Sequence, residues 1–153
     1  MKPKIRPMQQ SDIDSVYALE LLGHRAPWTR EIFSDCVLVG YDCRVLELVE
    51  KKEKQILAYI ICRHSLNVCH ILNICVSPTK QRKGYGTLLL KSVFVTLLSK
   101  RSVDSVILEV RPSNLAALAL YKRFGFLQDS VKSDYYSDGD SLEDAILLKK
   151  ILK

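Results

Sequence analysis

His70-Ile71-Leu72-Asn73-Ile74-Cys75-Val76-Ser77-Pro78, the turn Gln81-Arg82-Lys83-Gly84-Tyr85-Gly86 and the segment Tyr85–Lys100 decide how this chain folds. The first run is apolar, strand-like and stopped by a proline. Between Tyr85 and Lys100 the polar residues Ser92, Thr96, Ser99 and Lys100 recur at helical spacing, while Leu90, Val93, Phe94, Leu97 and Leu98 fall on the other side. That pattern predicts a helix with one face in the core. In Ser105–Arg111, Val106, Leu108 and Val110 alternate with their neighbours as in a strand. Strand, helix and strand make a parallel crossover, which is right-handed in nearly all proteins.

Working outward, a short strand is expected near Lys4–Met8, and Ser11 with Asp14 resembles a capping box opening an amphipathic helix that carries Ile13, Val16, Tyr17 and Leu21. His24–Trp28 breaks it, and Thr29 is a suitable N-cap for a second helix ending near Gly40. Arg44–Glu50 and Gln55–Arg63, joined by Lys51–Lys54, read as an antiparallel hairpin. After the crossover a helix over Asn114–Phe124 ends at Gly125, and strands are predicted over Phe126–Tyr136 and Asp144–Ile151. The count gives an α/β domain with a mixed sheet.

The 153 residues suit one domain spanning 1–153, and no linker, repeat or low-complexity tract divides them. With 48% hydrophobic and 26% charged residues the composition is globular, which excludes a disordered chain. The longest apolar stretches, such as Leu57–Cys62, are far short of the ~20 residues that span a bilayer. The basic start Met1–Pro7 has no apolar segment behind it, so no secretory signal and a cytoplasmic location are expected. Five cysteines, with no Cys-x-x-Cys pair, sit mostly in apolar runs, so neither zinc nor a disulfide framework is expected. The net charge of +6 calls for an anionic partner.

The turn Gln81–Gly86 offers a site for such an anion. Its glycines let a ligand approach the backbone, and the helix that follows presents unpaired N–H groups and a positive dipole end. It is neither a Walker A loop nor the dinucleotide-binding glycine pattern. Lys80, Arg82, Lys83 and Lys91 surround it with no acidic residue among them, although an ordinary strand-to-helix turn with solvated basic side chains would read the same way. Glu109 interrupts an apolar strand and needs a partner or a task. Pairing with Arg111 or a backbone donor would satisfy it as well as catalysis would. Asn114, Ala117, Leu118 and Tyr121 share one helical face, and Tyr121 is open to two readings: a functional phenol, or a core tyrosine packed with Phe124.

Taken together, these residues resemble the Gcn5-related N-acetyltransferase superfamily, whose acetyl-CoA loop Gln/Arg-x-x-Gly-x-Gly/Ala is matched by Gln81, Gly84 and Gly86. Ile71–Val76, Leu108–Arg111 with Ser113-Asn114, Ala119-Leu120-Tyr121, Phe124-Gly125-Phe126, Pro27-Trp28-Thr29, Tyr135-Tyr136 and Glu143-Asp144-Ala145 are similar to the bacterial ribosomal-protein alanine N-acetyltransferases. The resemblance runs nearly end to end. It implies a single-domain fold with a mixed, mostly antiparallel sheet of about seven strands, about four helices, and a parallel strand pair around an acetyl-CoA cleft. It further implies that Ile74, Cys75 and Val76 hold the acetyl-pantetheine arm, that Arg82, Lys83, Gly84, Tyr85, Gly86 and Thr87 hold the pyrophosphate, and that Asn114 contacts the cofactor. Glu109 would accept a proton and Tyr121 donate one, with no metal. Cys75 stands where the family has a small apolar residue, and the segment after Trp28 and the region Lys132–Asp140 depart from its pattern, which leaves the acceptor open.

The chemistry suits a protein N-terminus, because an α-amine with a pKa of about 7.7–8.0 is about a tenth neutral near pH 7, whereas a lysine near 10.4 is almost wholly protonated. Asp134, Asp138, Asp140, Glu143 and Asp144 form an acidic segment in a basic chain, either a solvated hairpin tip or a wall that draws in a basic peptide, with Trp28 and Tyr135 as contact surfaces. The expectation is acetyl transfer from acetyl-CoA to the N-terminal alanine of a ribosomal protein, with no membrane or direct nucleic-acid partner. A lysine or small-amine acceptor remains the alternative, and a non-catalytic acetyl-CoA or nucleic-acid-binding module a more distant one.

Overall fold

Seven strands in the order β1-β2-β3-β4-β5-β7-β6 make one mixed sheet in a computed structural model that describes residues 2–81, 83–100, 102–138 and 141–152. The strands are β1 (Lys4–Pro7), β2 (Asp42–Glu50), β3 (Glu53–Ser65), β4 (Val68–Val76), β5 (Ser105–Val110), β6 (Leu127–Asp138) and β7 (Ser141–Ile151). Four helices, α1 (Ile13–Gly23), α2 (Arg30–Leu38), α3 (Tyr85–Ser99) and α4 (Leu115–Arg123), interleave with them among the described residues. All neighbouring strands are antiparallel except β4 and β5, the pair joined by the α3 crossover. The fold is the expected one.

The interior strand β3 has the longest apolar run, Leu57–Cys62, and all six residues are fully buried because helices cover both faces of the sheet. On one face Leu90, Val93, Phe94 and Leu97 of α3 pack with Ile60, Ile71 and Leu108. On the other, Val16, Leu19 and Phe33 pack with Tyr59, Ile61 and Cys75. Leu98, expected in the core, is exposed, and Leu89 is buried instead. At 100° per residue the stripe through positions 90, 93 and 97 takes in 89 before it reaches 98. Leu21 is likewise exposed, its inward place on α1 being taken by Glu20.

The helix start also differs from expectation. A short 3-10 turn at Gln10–Asp12 precedes α1, and the carboxylate that reaches back is Asp12, accepting from the Gln9 N–H at 2.8 Å. At the far end of α1, a Cβ on Gly23 would lie 2.7 Å from Cys75 Sγ, so glycine lets the helix end rest on β4. The β2–β3 turn needs only Lys51 and Lys52, both at positive φ, as a two-residue hairpin turn demands.

A defect in β4 shapes everything that follows. Ile61 faces Asn73 and Cys62 faces Ile71, so Leu72 has no partner on β3. This bulge turns Leu72 and Asn73 toward the α1 face together, and the parallel pairing of β4 with β5 ends at Ile71 and Leu108. β5 continues to Val110 against β7 on its other side. The two central strands thus part, and a wedge opens between them.

Candidate active site

A 380 Å³ cavity occupies the wedge where β4 meets α3 and α4. Ile74, Cys75 and Val76 form its β4 wall, and Gly84, Tyr85, Gly86 and Thr87 its floor. Gly84 caps α3 at φ +79°, a conformation that glycine adopts without strain, and no side chain caps the helix. The first helical bond of α3 runs from the Leu88 N–H to the Gly84 carbonyl at 3.0 Å, so the N–H groups of Tyr85, Gly86 and Thr87 are open to an anion. A Cβ on Gly86 would crowd Leu120 Cδ2 at 3.3 Å. Small residues and backbone donors thus make a narrow channel with a positive end, which fits a long phosphorylated thioester. Arg123, which sequence reasoning passed over, joins the wall from α4, one turn beyond Leu120. Lys83 does not line the cavity, and Arg82 lies outside the described residues.

A second cavity of 180 Å³ is walled by Glu20, Trp28, Asn73, Glu109 and Tyr136. His24, Ile74, Asn114, Ala117 and Tyr121 line both cavities, so the two spaces meet at those side chains.

Glu109 stands on β5 just past the last β4–β5 pair, its side chain 10% exposed. Its Oε2 lies 2.7 Å from His70 Nε2, and its Oε1 accepts from Lys132 Nζ at 3.1 Å. Burial works to raise its pKa, but the hydrogen bonds and charges of His70 and Lys132 outweigh it and hold the carboxyl below its ordinary value. Arg111, one of the partners open to it in the sequence, goes to Glu143 at 3.2 Å and lies over the Tyr136 ring at 4.2 Å. Sequence reasoning missed His70 and Lys132 because they come from β4 and β6, distant in sequence from Glu109 and brought to it only by the folded sheet, β4 beside β5 and β6 across β7.

Tyr121 is buried, and burial pushes its phenol well above the ordinary tyrosine range. Its ring packs edge-on against Phe126 at 5.7 Å, while Phe124 stacks on Phe94. Asn114 caps α4, its Oδ1 accepting from the Ala117 N–H at 3.2 Å, and it also lines both cavities. Cys75 is a buried thiol that donates to the Leu19 carbonyl, and burial pushes its pKa up to about 11, so it is no thiolate nucleophile.

Trp28 lies in the wall of the smaller cavity with its ring 5.2 Å from Phe33. Tyr135 does not line that cavity; Tyr136 does. Lys132 pairs with Ala145 and Tyr136 with Glu143, so residues 133–135 bulge away from β7, with Asp134 at φ +50° and its N–H donating to Asp144 Oδ1 at 2.9 Å. Glu143 accepts from the Ser113 N–H at 2.9 Å and the Ser113 hydroxyl at 3.0 Å. Glu143 and Asp144 therefore brace loops of the protein. Asp140 and the side chain of Asp138 lie outside the described residues.

The acetyltransferase (GNAT) family model matches residues 13–126. The [ribosomal protein bS18]-alanine N-acetyltransferase of Escherichia coli strain K12 is 33% identical over 94% of each chain. The crystal structure of the ribosomal-protein-S18-alanine N-acetyltransferase from Escherichia coli superposes with a TM-score of 0.87 at 31% identity, over 99% of this chain and 94% of that one. Arabidopsis thaliana NAA60 in complex with acetyl-CoA shares the fold at a TM-score of 0.90 and 17% identity, over 99% of both chains. This chain belongs to the GNAT acetyltransferase family. Within it, the relatives set the activity as N-acetyl transfer.

Proposed function

We propose that the chain works as one acetyl-CoA-dependent N-acetyltransferase domain in the cytoplasm and that its acceptor is the N-terminal α-amine of a protein, an alanine terminus of a ribosomal protein. The observation that carries this reading is the meeting of two unlike cavities at Tyr121, Asn114 and Ile74, one floored by backbone N–H groups and the other walled by carboxylates and aromatic rings. The names of the similar bacterial enzymes support the choice of acceptor.

The α3 N-terminus and Arg123 would hold the phosphates of the cofactor, and β4 from Ile74 to Val76 its acyl arm. Bound there, acetyl-CoA supplies an activated acetyl group. Glu109 is a weak base, and that suits an amine already neutral, whose N–H becomes strongly acidic only as the new C–N bond forms. The carboxylate then takes that proton, with His70 and Lys132 keeping it charged beforehand. Tyr121, held protonated, supplies a proton to the departing sulfur.

A CoA-release assay with peptides that differ in first residue and in downstream charge tests the reading. The fastest turnover is expected for a free Ala terminus followed by basic residues. Equal rates across the panel would remove the alanine acceptor, and transfer only to an N-blocked lysine peptide would replace it with a side-chain amine.

A further inference from the structure

Glu20 sits in the wall of the acceptor cavity in a role the chemistry above leaves unused. It is 1% exposed on the inward stripe of α1, one turn after Val16. Its Oε1 accepts from the Tyr59 hydroxyl and from Asn73 Nδ2 at 2.9 Å, and its Oε2 accepts from the Trp28 N–H at 2.8 Å. An ionised carboxylate offers about four acceptor positions, so one stays open. Among the described residues no lysine or arginine pairs with it. His24 Nε2 lies 3.2 Å from Oε1, without hydrogen-bond geometry, and is itself buried and unsatisfied.

Beside this carboxylate, Asn73 is 8% exposed and its Oδ1 is buried with no partner. A buried carboxylate with an acceptor position left open and a buried carbonyl without a donor are both costly to keep. What they lack in common is N–H. An α-amine brings two N–H bonds when neutral and three when protonated. Asn73 also immediately precedes Ile74, which lines both cavities, so an amine held there stands at the passage to the donor channel.

We propose that Glu20 and Asn73 form the subsite that receives the α-amine of the acceptor's first residue, their open oxygens accepting its N–H bonds. The subsite rests on the acceptor being a protein N-terminus. Through the Trp28 N–H the same carboxylate fixes the α1–α2 loop, so the group that greets the amine also sets the wall beside it.

The test is binding to the CoA-loaded protein, which has no acetyl group to transfer. A basic peptide beginning with alanine is compared by calorimetry with its counterpart in which a propionyl group replaces the alanyl residue. The wild type is expected to bind the amine peptide at least tenfold more tightly. Glu20→Gln should cut that preference to under threefold while CoA affinity holds, a change that a merely structural role would not produce. Equal binding of the two peptides by the wild type overturns the subsite without any variant, so the test survives a Glu20→Gln protein that does not fold. A folded Glu20→Gln protein that keeps the full preference also overturns it. Acetylation assays alongside separate the two ideas. Transfer to the free-terminus peptide with equal binding of the pair removes the subsite alone; transfer only to an N-blocked lysine peptide removes the acceptor reading and the subsite with it.

Discussion

The two sides of the wedge are built from different materials. On the donor side the chain offers backbone: glycines, helix N–H groups and a strand edge left unpaired by the β4 bulge. On the acceptor side it offers side chains, with Glu20, Asn73, Glu109 and Tyr136 drawn from α1, β4, β5 and β6. A cofactor that is the same in every turnover can be held by groups common to any sequence that makes the turn. An acceptor must be told apart from other amines, and that takes placed charges and rings. Changes on the acceptor side should therefore alter which amine reacts and how fast, and changes on the donor side should alter affinity for acetyl-CoA.

Glu109→Gln is the severest way to try to break that division. Loss of the carboxylate should lower kcat/KM for a peptide by roughly 10²–10⁴, the range for removal of a general base, with acetyl-CoA affinity unchanged. Tyr121→Phe should reduce kcat as well, and since Tyr121 lines both cavities it is the one substitution expected to disturb both substrates. Steady-state kinetics with each substrate varied in turn checks both, and an altered acetyl-CoA affinity in Glu109→Gln would mean that the two sides are not separable.

The pH dependence should divide in the same way. Glu109 is held below the ordinary carboxylate range and so is ionised from pH 6 upward. The titrating group is then the acceptor amine, and kcat/KM for the peptide should rise about tenfold per pH unit until the amine is neutral near a pKa of about 8. Burial keeps the Tyr121 phenol protonated, so no fall is expected up to pH 10. The KM for acetyl-CoA should stay flat between pH 6 and 9. Gly84→Val tests the donor side alone. A β-branched residue at φ +79° carries strain of about 1–3 kcal/mol, so the KM for acetyl-CoA should rise roughly tenfold with peptide discrimination unchanged.

The same contrast explains what could be read in advance. Gln81 to Thr87 lie together in the chain, and a strand, two glycines and a helix carry their own meaning, so the turn was legible as an anion site, although Lys83 does not line the cavity and Arg123 gave no signal. The sheet order was legible too, since alternation, turns and one crossover leave few topologies. The acceptor side was legible only where a charged residue breaks an apolar strand, as Glu109 does. Glu20 left a comparable signal, a carboxylate one turn beyond Val16 on an apolar helix face, but the stripe can be drawn through Leu21 instead. His70, Lys132 and Tyr136 gave none, because a partner on the neighbouring strand, another two strands away across β7 and a tyrosine displaced by a bulge depend on register, which no local pattern encodes.

Lys132→Met should have the smallest effect, and its sign distinguishes a tuned carboxylate from one that is merely paired. Lys132 is 45% exposed on its side chain, so solvent screens much of its pull on Glu109. His70, at 2.7 Å and more buried, stays in place in the variant. Removing the lysine moves the Glu109 pKa up, and the His70 hydrogen bond continues to hold it down against the effect of burial. At pH 7.5 the carboxylate remains ionised, and kcat/KM should change by no more than about threefold. A group whose pKa is depressed on folding adds stability above its unfolded value, and that stability is lost as pH falls through the folded one. Lys132→Met should therefore match the wild type in thermal unfolding at pH 3, where Glu109 is protonated in the unfolded chain, more closely than at pH 7, where it should melt slightly lower. A loss of activity comparable to that of Glu109→Gln would instead place the lysine among the groups that act on the substrate itself.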